Sequence, residues 1–208
     1  MRGKRFDCSA PFALTLAMLL CCGHWALLLA AGLAAALHEG GHLLAIALYG
    51  GRAERFVLGL GGLDIQYDCP RADYRQEGRV ALAGPGANLA ACGLAALLAR
   101  LVSAGPWQDG LYLFCGCNAL LALFNLVPAL PLDGGVYLRC LLLRRAELWR
   151  AERLSVWCSL AAGLALLAAG LALFFKTRGN ITLLACALAI LGRQSRNFFT
   201  PGRKSLIV

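Results

Sequence analysis

His38-Glu39-Gly40-Gly41-His42 lies inside an apolar run that extends from Ala26 to Tyr49. On a helix, residues four apart share a face, about 40° from each other around the axis. The two imidazoles can therefore hold one metal ion, and the glutamate between them sits beside the ion's open coordination position. The chemistry available to such a set is hydrolysis. Zinc lowers the pKa of a bound water towards neutrality and polarises a carbonyl, and Glu39 is placed to take the water's proton and hand it to a leaving amine. Three ionisable side chains within a membrane-grade segment are expensive, which marks them as functional.

Two histidines do not complete a catalytic zinc site; a third protein ligand is needed. The remaining histidine, His24, reads as an interfacial residue near the opposite membrane face. The better candidate is Asp133, in the segment Asn125-Leu-Val-Pro128-Ala-Leu-Pro131-Leu-Asp133-Gly134-Gly135. Pro128 and Pro131 break an apolar run and the two glycines allow a tight approach, while broken backbone at membrane depth is tolerated where it is buried or lines a water-filled cavity. The bland alternative for Asp133 is a turn aspartate. Asn125 either hydrogen-bonds a substrate peptide or its developing oxyanion, or joins helices. Gly84-Pro85-Gly86-Ala87-Asn88 places small residues where helices approach closely; Asn88 either packs there or reaches substrate.

The elements that must position these residues are membrane spans. The chain is 60% hydrophobic and 15% charged with a mean hydropathy of +0.67, against roughly 45–50% and 25% in soluble domains. Apolar runs predict an all-α polytopic domain over 1–208 with about six spans, near 10–22, 25–49, 79–101, 110–128, 154–175 and 180–192. The net charge of +9 does not signal nucleic-acid binding, because the charges cluster at the ends of the apolar runs. Arg2, Lys4 and Arg5 precede the first run; Arg52, Arg55, Arg71, Arg75 and Arg79 lie near the second connection. Arg139, Arg144, Arg145, Arg150 and Arg153 lie in the fourth, and Arg193, Arg196, Arg203 and Lys204 follow the sixth run. The alternate connections are nearly free of basic residues, so both termini are expected in the cytoplasm. The second and fourth spans then both run inward, which brings His38, His42 and Asp133 to the same side and depth. The connection 50–78 mixes β-forming residues with Gly59, Gly61 and Gly62, and reads either as a glycine-rich β segment with an edge for an extended peptide or as a flexible loop. The ten cysteines form no CxxC pair and read as small membrane-packing residues. The N-terminal stretch imitates a signal peptide, but cleavage near Ala34–Ala36 would destroy the zinc helix, so it is read as an uncleaved span.

With HExxH in a membrane helix, a GPxxN segment and a downstream NxxPxxPLDGG, the chain resembles the site-2 protease family of intramembrane zinc metallopeptidases, and most of all the minimal six-span type of stage IV sporulation protein FB. The resemblance runs from about Ala10 to Arg145. It implies one zinc ion held by His38, His42 and Asp133, Glu39 as catalytic base, and a glycine-rich strand, here containing Gly61 and Gly62, that engages substrate. It also implies a multi-pass protein of the bacterial cell membrane. Its substrate would be a membrane-associated or membrane-spanning protein, such as a pro-sigma or membrane-tethered transcription factor, cut near the cytoplasmic face. Membrane regulatory proteins are possible partners. Neither a PDZ insertion nor a cystathionine-β-synthase-like domain is expected. The competing readings are a polytopic metal transporter using the same ligands and an inactive membrane-binding scaffold.

Overall fold

The computed structural model describes residues 5–8, 25–59, 62–68 and 73–177, together with 184, 187–188 and 190–192, which are helical. The expected first span, 10–22, and most of the sixth, 180–192, lie outside the described residues, as do His24 and Gly61. The described chain is mostly helical.

Helix α1 (Trp25–Leu48) is a run of leucine and alanine without proline. It buries Ala30, Ala34, His38, His42 and Ile46, every fourth residue, which is the ridge that packs into a neighbouring helix groove. Leu27, Leu29, Leu33, Leu37 and Leu44 point outwards and are exposed. An exposed stripe of leucine along a helix about 36 Å long suits hydrocarbon, not water. The helix stops at Gly50, whose φ of 74° is open to glycine, and the Gly51 N–H closes the turn on Ile46 O at 2.9 Å.

Between α1 and the next helix lie strands β2 (Arg52–Gly59) and β3 (Gly62–Asp68), paired antiparallel with Gly59 opposite Gly62 and an irregularity between Ala53 and Arg55. Strand β1 (Arg5–Cys8) pairs in parallel with β2, giving the order β1-β2-β3. Nothing local in Arg5-Phe-Asp-Cys8 announces a strand, and sequence patterning reads it only as a charged flank.

Helix α2 (Tyr74–Leu101) begins before its apolar run, because Asp73 and Gln76 form a reciprocal capping box. The Asp73 carboxylate accepts from Gln76 N–H at 2.8 Å, and the Gln76 side chain accepts from Asp73 N–H at 3.2 Å. Its buried face is small: Gly78, Ala81, Gly84, Pro85, Asn88, Ala95 and Ala99, with Val80. Helix α3 (Pro106–Asn125) starts on Pro106 and is tied back to α2 by Gln108, which donates to Ala99 O at 2.8 Å. Helices α1, α2 and α3 pack mutually.

Helix α3 ends at Asn125, so the expected span at 110–128 stops short of Pro128. Asp133 is therefore not at the frayed end of that span: it is the first residue of a separate helix, α4 (Asp133–Leu143), which apolar patterning did not resolve. The prolines at 128 and 131 cannot donate to a helical ladder, and residues 126–132 form instead a folded turn, with Leu132 N–H bonded to Ala129 O at 2.8 Å. Gly134 and Gly135 let α4 start directly against this turn: a Cβ on the first would meet Leu126 O, and on the second the Ala129–Leu130 backbone. Helix α5 (Leu148–Thr177) pins the turn from outside. Its buried Ser159 hydroxyl accepts from Leu130 N–H at 3.0 Å and donates to Ser155 O at 2.8 Å, and Glu152 accepts from Nε and Nη2 along one edge of the Arg139 guanidinium of α4. Among the described residues, three helices are long and apolar enough to cross a membrane: α1, α2 and α5.

The neighbouring glycines of α1 differ sharply. A Cβ on Gly40 would meet nothing within 4 Å, whereas one on Gly41 would lie 2.5 Å from Ala83 O and 3.0 Å from Ala87 Cβ. Gly41 is therefore where α2 touches α1. Thermal unfolding in detergent should show Gly40→Ala neutral or slightly stabilising, by up to ~1 kcal/mol of helix propensity, and Gly41→Ala destabilising by about 1–3 kcal/mol of overpacking.

Candidate metal centre

Helix α1 presents His38 and His42 on one face, and the start of α4 presents Asp133 to the same point. His38 Nε2 lies 3.3 Å from His42 Nε2 and 3.0 Å from Asp133 Oδ2, and His42 Nε2 lies 3.4 Å from that oxygen. All three residues are buried, at 6%, 3% and 5% exposure. The two ligand segments thus meet at one point.

Protonation is fixed from behind. His42 Nδ1 lies 2.8 Å from Val80 O, a backbone carbonyl that can only accept, so Nδ1 carries the proton. His38 Nδ1 lies 2.6 Å from Asn88 Oδ1. The Asn88 amide nitrogen already donates to Ala34 O at 2.9 Å and to Asn118 Oδ1 at 2.8 Å, so its oxygen faces His38 and accepts there. In the neutral form each imidazole then turns an Nε2 lone pair towards Asp133, whose Oδ2 has no hydrogen-bond partner. In that form three acceptors face one another with no donor among them. Fully buried, that arrangement is unfavourable unless a cation sits between them.

The residues fit a metal. Tetrahedral zinc with bonds of about 2.0–2.1 Å has ligand-to-ligand edges of about 3.3–3.4 Å, and the observed edges are 3.0, 3.3 and 3.4 Å. Among the described residues, His38, His42 and Asp133 are the one group of three potential ligands so placed. Glu39 follows His38 on α1, half-buried, with its carboxylate close enough to His42 to act on it electrostatically.

Other expected residues fall elsewhere. Asn88 is wholly buried behind His38, so it supports a ligand and does not reach substrate. Asn125 is half-buried and donates to Leu121 O of its own helix at 3.1 Å; among the described residues no hydrogen bond joins it to the three ligands. Gly62 opens β3 and pairs with Gly59; among the described residues no hydrogen bond joins it to the three ligands.

Patterning also overlooked essential neighbours. A Cβ on Gly84 would overlap the His42 ring at Nε2, so this glycine is needed for the ligand itself to fit. The Val80 carbonyl and Ser159 carry no sequence signal, whereas Asn118, a lone amide in an apolar run, could have been noticed.

No family model matches the chain. A Synechocystis sp. protein provisionally described as a zinc metalloprotease is 37% identical over 119 residues, 55% of this chain. The chain spans 30% of that relative's length. Among solved structures, the site-2 protease from Methanocaldococcus jannaschii superposes with a TM-score of 0.70 at 22% identity, over 99% of this chain and 96% of that one. The fold is therefore that of a site-2 protease.

Gly84→Ala should weaken zinc binding by roughly 100-fold with every ligand intact, the upper end of what a displaced ligand support costs. Gly86→Ala, whose methyl meets open space, should bind zinc as the native chain does. Competition against a chromophoric chelator measures both.

Proposed function

We propose that this chain is a zinc metalloendopeptidase of the site-2 protease family, cutting membrane-associated or membrane-spanning proteins within the bilayer. The observation that carries the reading is the buried triangle of potential metal ligands from His38, His42 and Asp133, with both histidines on a helix of membrane-crossing character. Two imidazoles and one carboxylate make a catalytic rather than a structural donor set, since a closed site would bring a fourth protein ligand. The fold of the archaeal protease and the likeness to the cyanobacterial relative point the same way.

A zinc ion held by these residues supplies an activated water and an electrophile for the scissile carbonyl. Glu39, next to His38 on the same helix, takes the proton from the attacking water and delivers it to the leaving amine. His38 and His42 stay oriented throughout because their Nδ1–H groups are committed to Asn88 and Val80. A peptide must be extended to be cut, and the edge of β3 offers backbone pairing to such a segment. Asn125, Gly61 and Gly62 are the nearest sequence candidates for substrate contact. The basic connections favour a six-span bacterial membrane protein with its termini and cleavage zone on the cytoplasmic side. Membrane-tethered transcription factors, including a pro-sigma factor as in the sporulation type, are the substrate class. The metal-transport reading is weaker: among the described residues there is no second ligand group to receive a travelling ion.

Co-expression with a panel of membrane-tethered transcription factors, read by immunoblot, tests the proposal. The native chain should release at least one of them, and Glu39→Gln should lower release by about 10²–10⁴-fold while purifying with one zinc per chain. Undiminished release by Glu39→Gln removes Glu39 from the chemistry; a native chain without zinc removes the metallopeptidase.

A further inference from the structure

The two histidines are secured differently. His42 leans on a backbone carbonyl, whereas His38 depends on a side-chain amide that could present either end. What fixes that amide extends to α3. Asn118 Nδ2 donates to Phe114 O at 2.9 Å, and because a carbonyl only accepts, the Asn118 oxygen must point the other way, towards Asn88. Asn88 then presents its N–H, at 2.8 Å to Asn118 Oδ1, and Ala34 O at 2.9 Å demands the same orientation. The Asn88 oxygen is left for His38 Nδ1–H, and the His38 Nε2 lone pair for a metal. Both asparagines are wholly buried, at 0% exposure, so water cannot replace either of them. The polarity of the whole chain is set by two backbone carbonyls, Phe114 O against Asn118 and Ala34 O against Asn88.

We infer that Asn118 is a positioning residue of the metal centre: through Asn88 it holds His38 in the tautomer that binds metal. The inference rests on the metallopeptidase reading above. It adds a third helix, α3, to the support of the centre, by way of a residue that touches no ligand. An amide in the middle of a lipid-embedded helix bundle is costly unless both of its ends are used, and here both are.

Cobalt(II) titration of the purified full chain tests this, with affinity and the visible d–d bands as readouts and melting temperature as the folding check. Asn118→Leu keeps the side-chain size and removes both hydrogen bonds; Asn118→Ala serves as a second breaking variant should the leucine chain not fold. Asn118→Asp is the rescue, since burial keeps the acid protonated, with one O–H for Phe114 O and one carbonyl oxygen for Asn88. Loss of the relay should weaken cobalt binding by about tenfold, the lower end for a residue supporting a ligand, with Asn118→Asp within about twofold of native. Adding Asn118→Leu to Asn88→Leu should cost nothing more, because the relay is already cut. Native-like affinity and bands in the breaking variants, or losses that multiply in the double variant, would overturn the inference while leaving the metal site intact. A native chain that binds no cobalt would overturn the metallopeptidase reading and this inference with it.

Discussion

Three buried atoms able to hold a metal ion lie within 3.4 Å of one another, two from α1 and one from α4. With both imidazoles neutral and no cation between them, such a cluster would destabilise the bundle, because buried acceptors without donors forfeit their hydration and gain nothing in return. A divalent cation reverses the sign. Much of the described structure is arranged around this point: a carbonyl and an amide behind the histidines, a folded proline turn behind the aspartate, and a serine of α5 behind the turn.

Close packing without large side chains makes the arrangement possible. In lipid, helices gain little by burying apolar surface against each other, so small residues and internal hydrogen bonds must hold them. Gly41 lets α1 touch the α2 backbone at Ala83, and Gly84 clears the space that the His42 ring occupies. Gly134 and Gly135 allow α4 to begin against the turn at 126–130, which delivers Asp133 at ligand depth. The leucines on the outer faces are exposed because their solvent is hydrocarbon.

Much of the site could be read from the sequence, and for a physical reason. HExxH depends only on helical periodicity, which is local, and charged residues in an apolar run are rare enough to stand out. Pairing it with Asp133 drew on the need for a third ligand and on the proline-broken segment ending in Gly134-Gly135, with the alternation of basic connections beside them. The parts that stayed hidden depend on what lies across a helix interface. Gly84 looked like generic helix packing until the His42 ring was found against it, and Asn88 had the composition of a substrate contact but lies behind a ligand. Helix α4 was missed because its first turn, Asp133-Gly134-Gly135, reads as a loop; tertiary contact with the turn before it decides otherwise. Strand β1 is defined only by its partner β2, fifty residues along the chain at Arg5↔Arg55.

The central claim is that this buried triangle is a zinc site of two imidazoles and one carboxylate. Zinc K-edge X-ray absorption on the purified chain tests it most directly. The account predicts four nitrogen or oxygen scatterers at about 2.0–2.1 Å with the outer-shell pattern of two imidazole rings. Sulfur scattering at about 2.3 Å, or a spectrum without imidazole features, would contradict it.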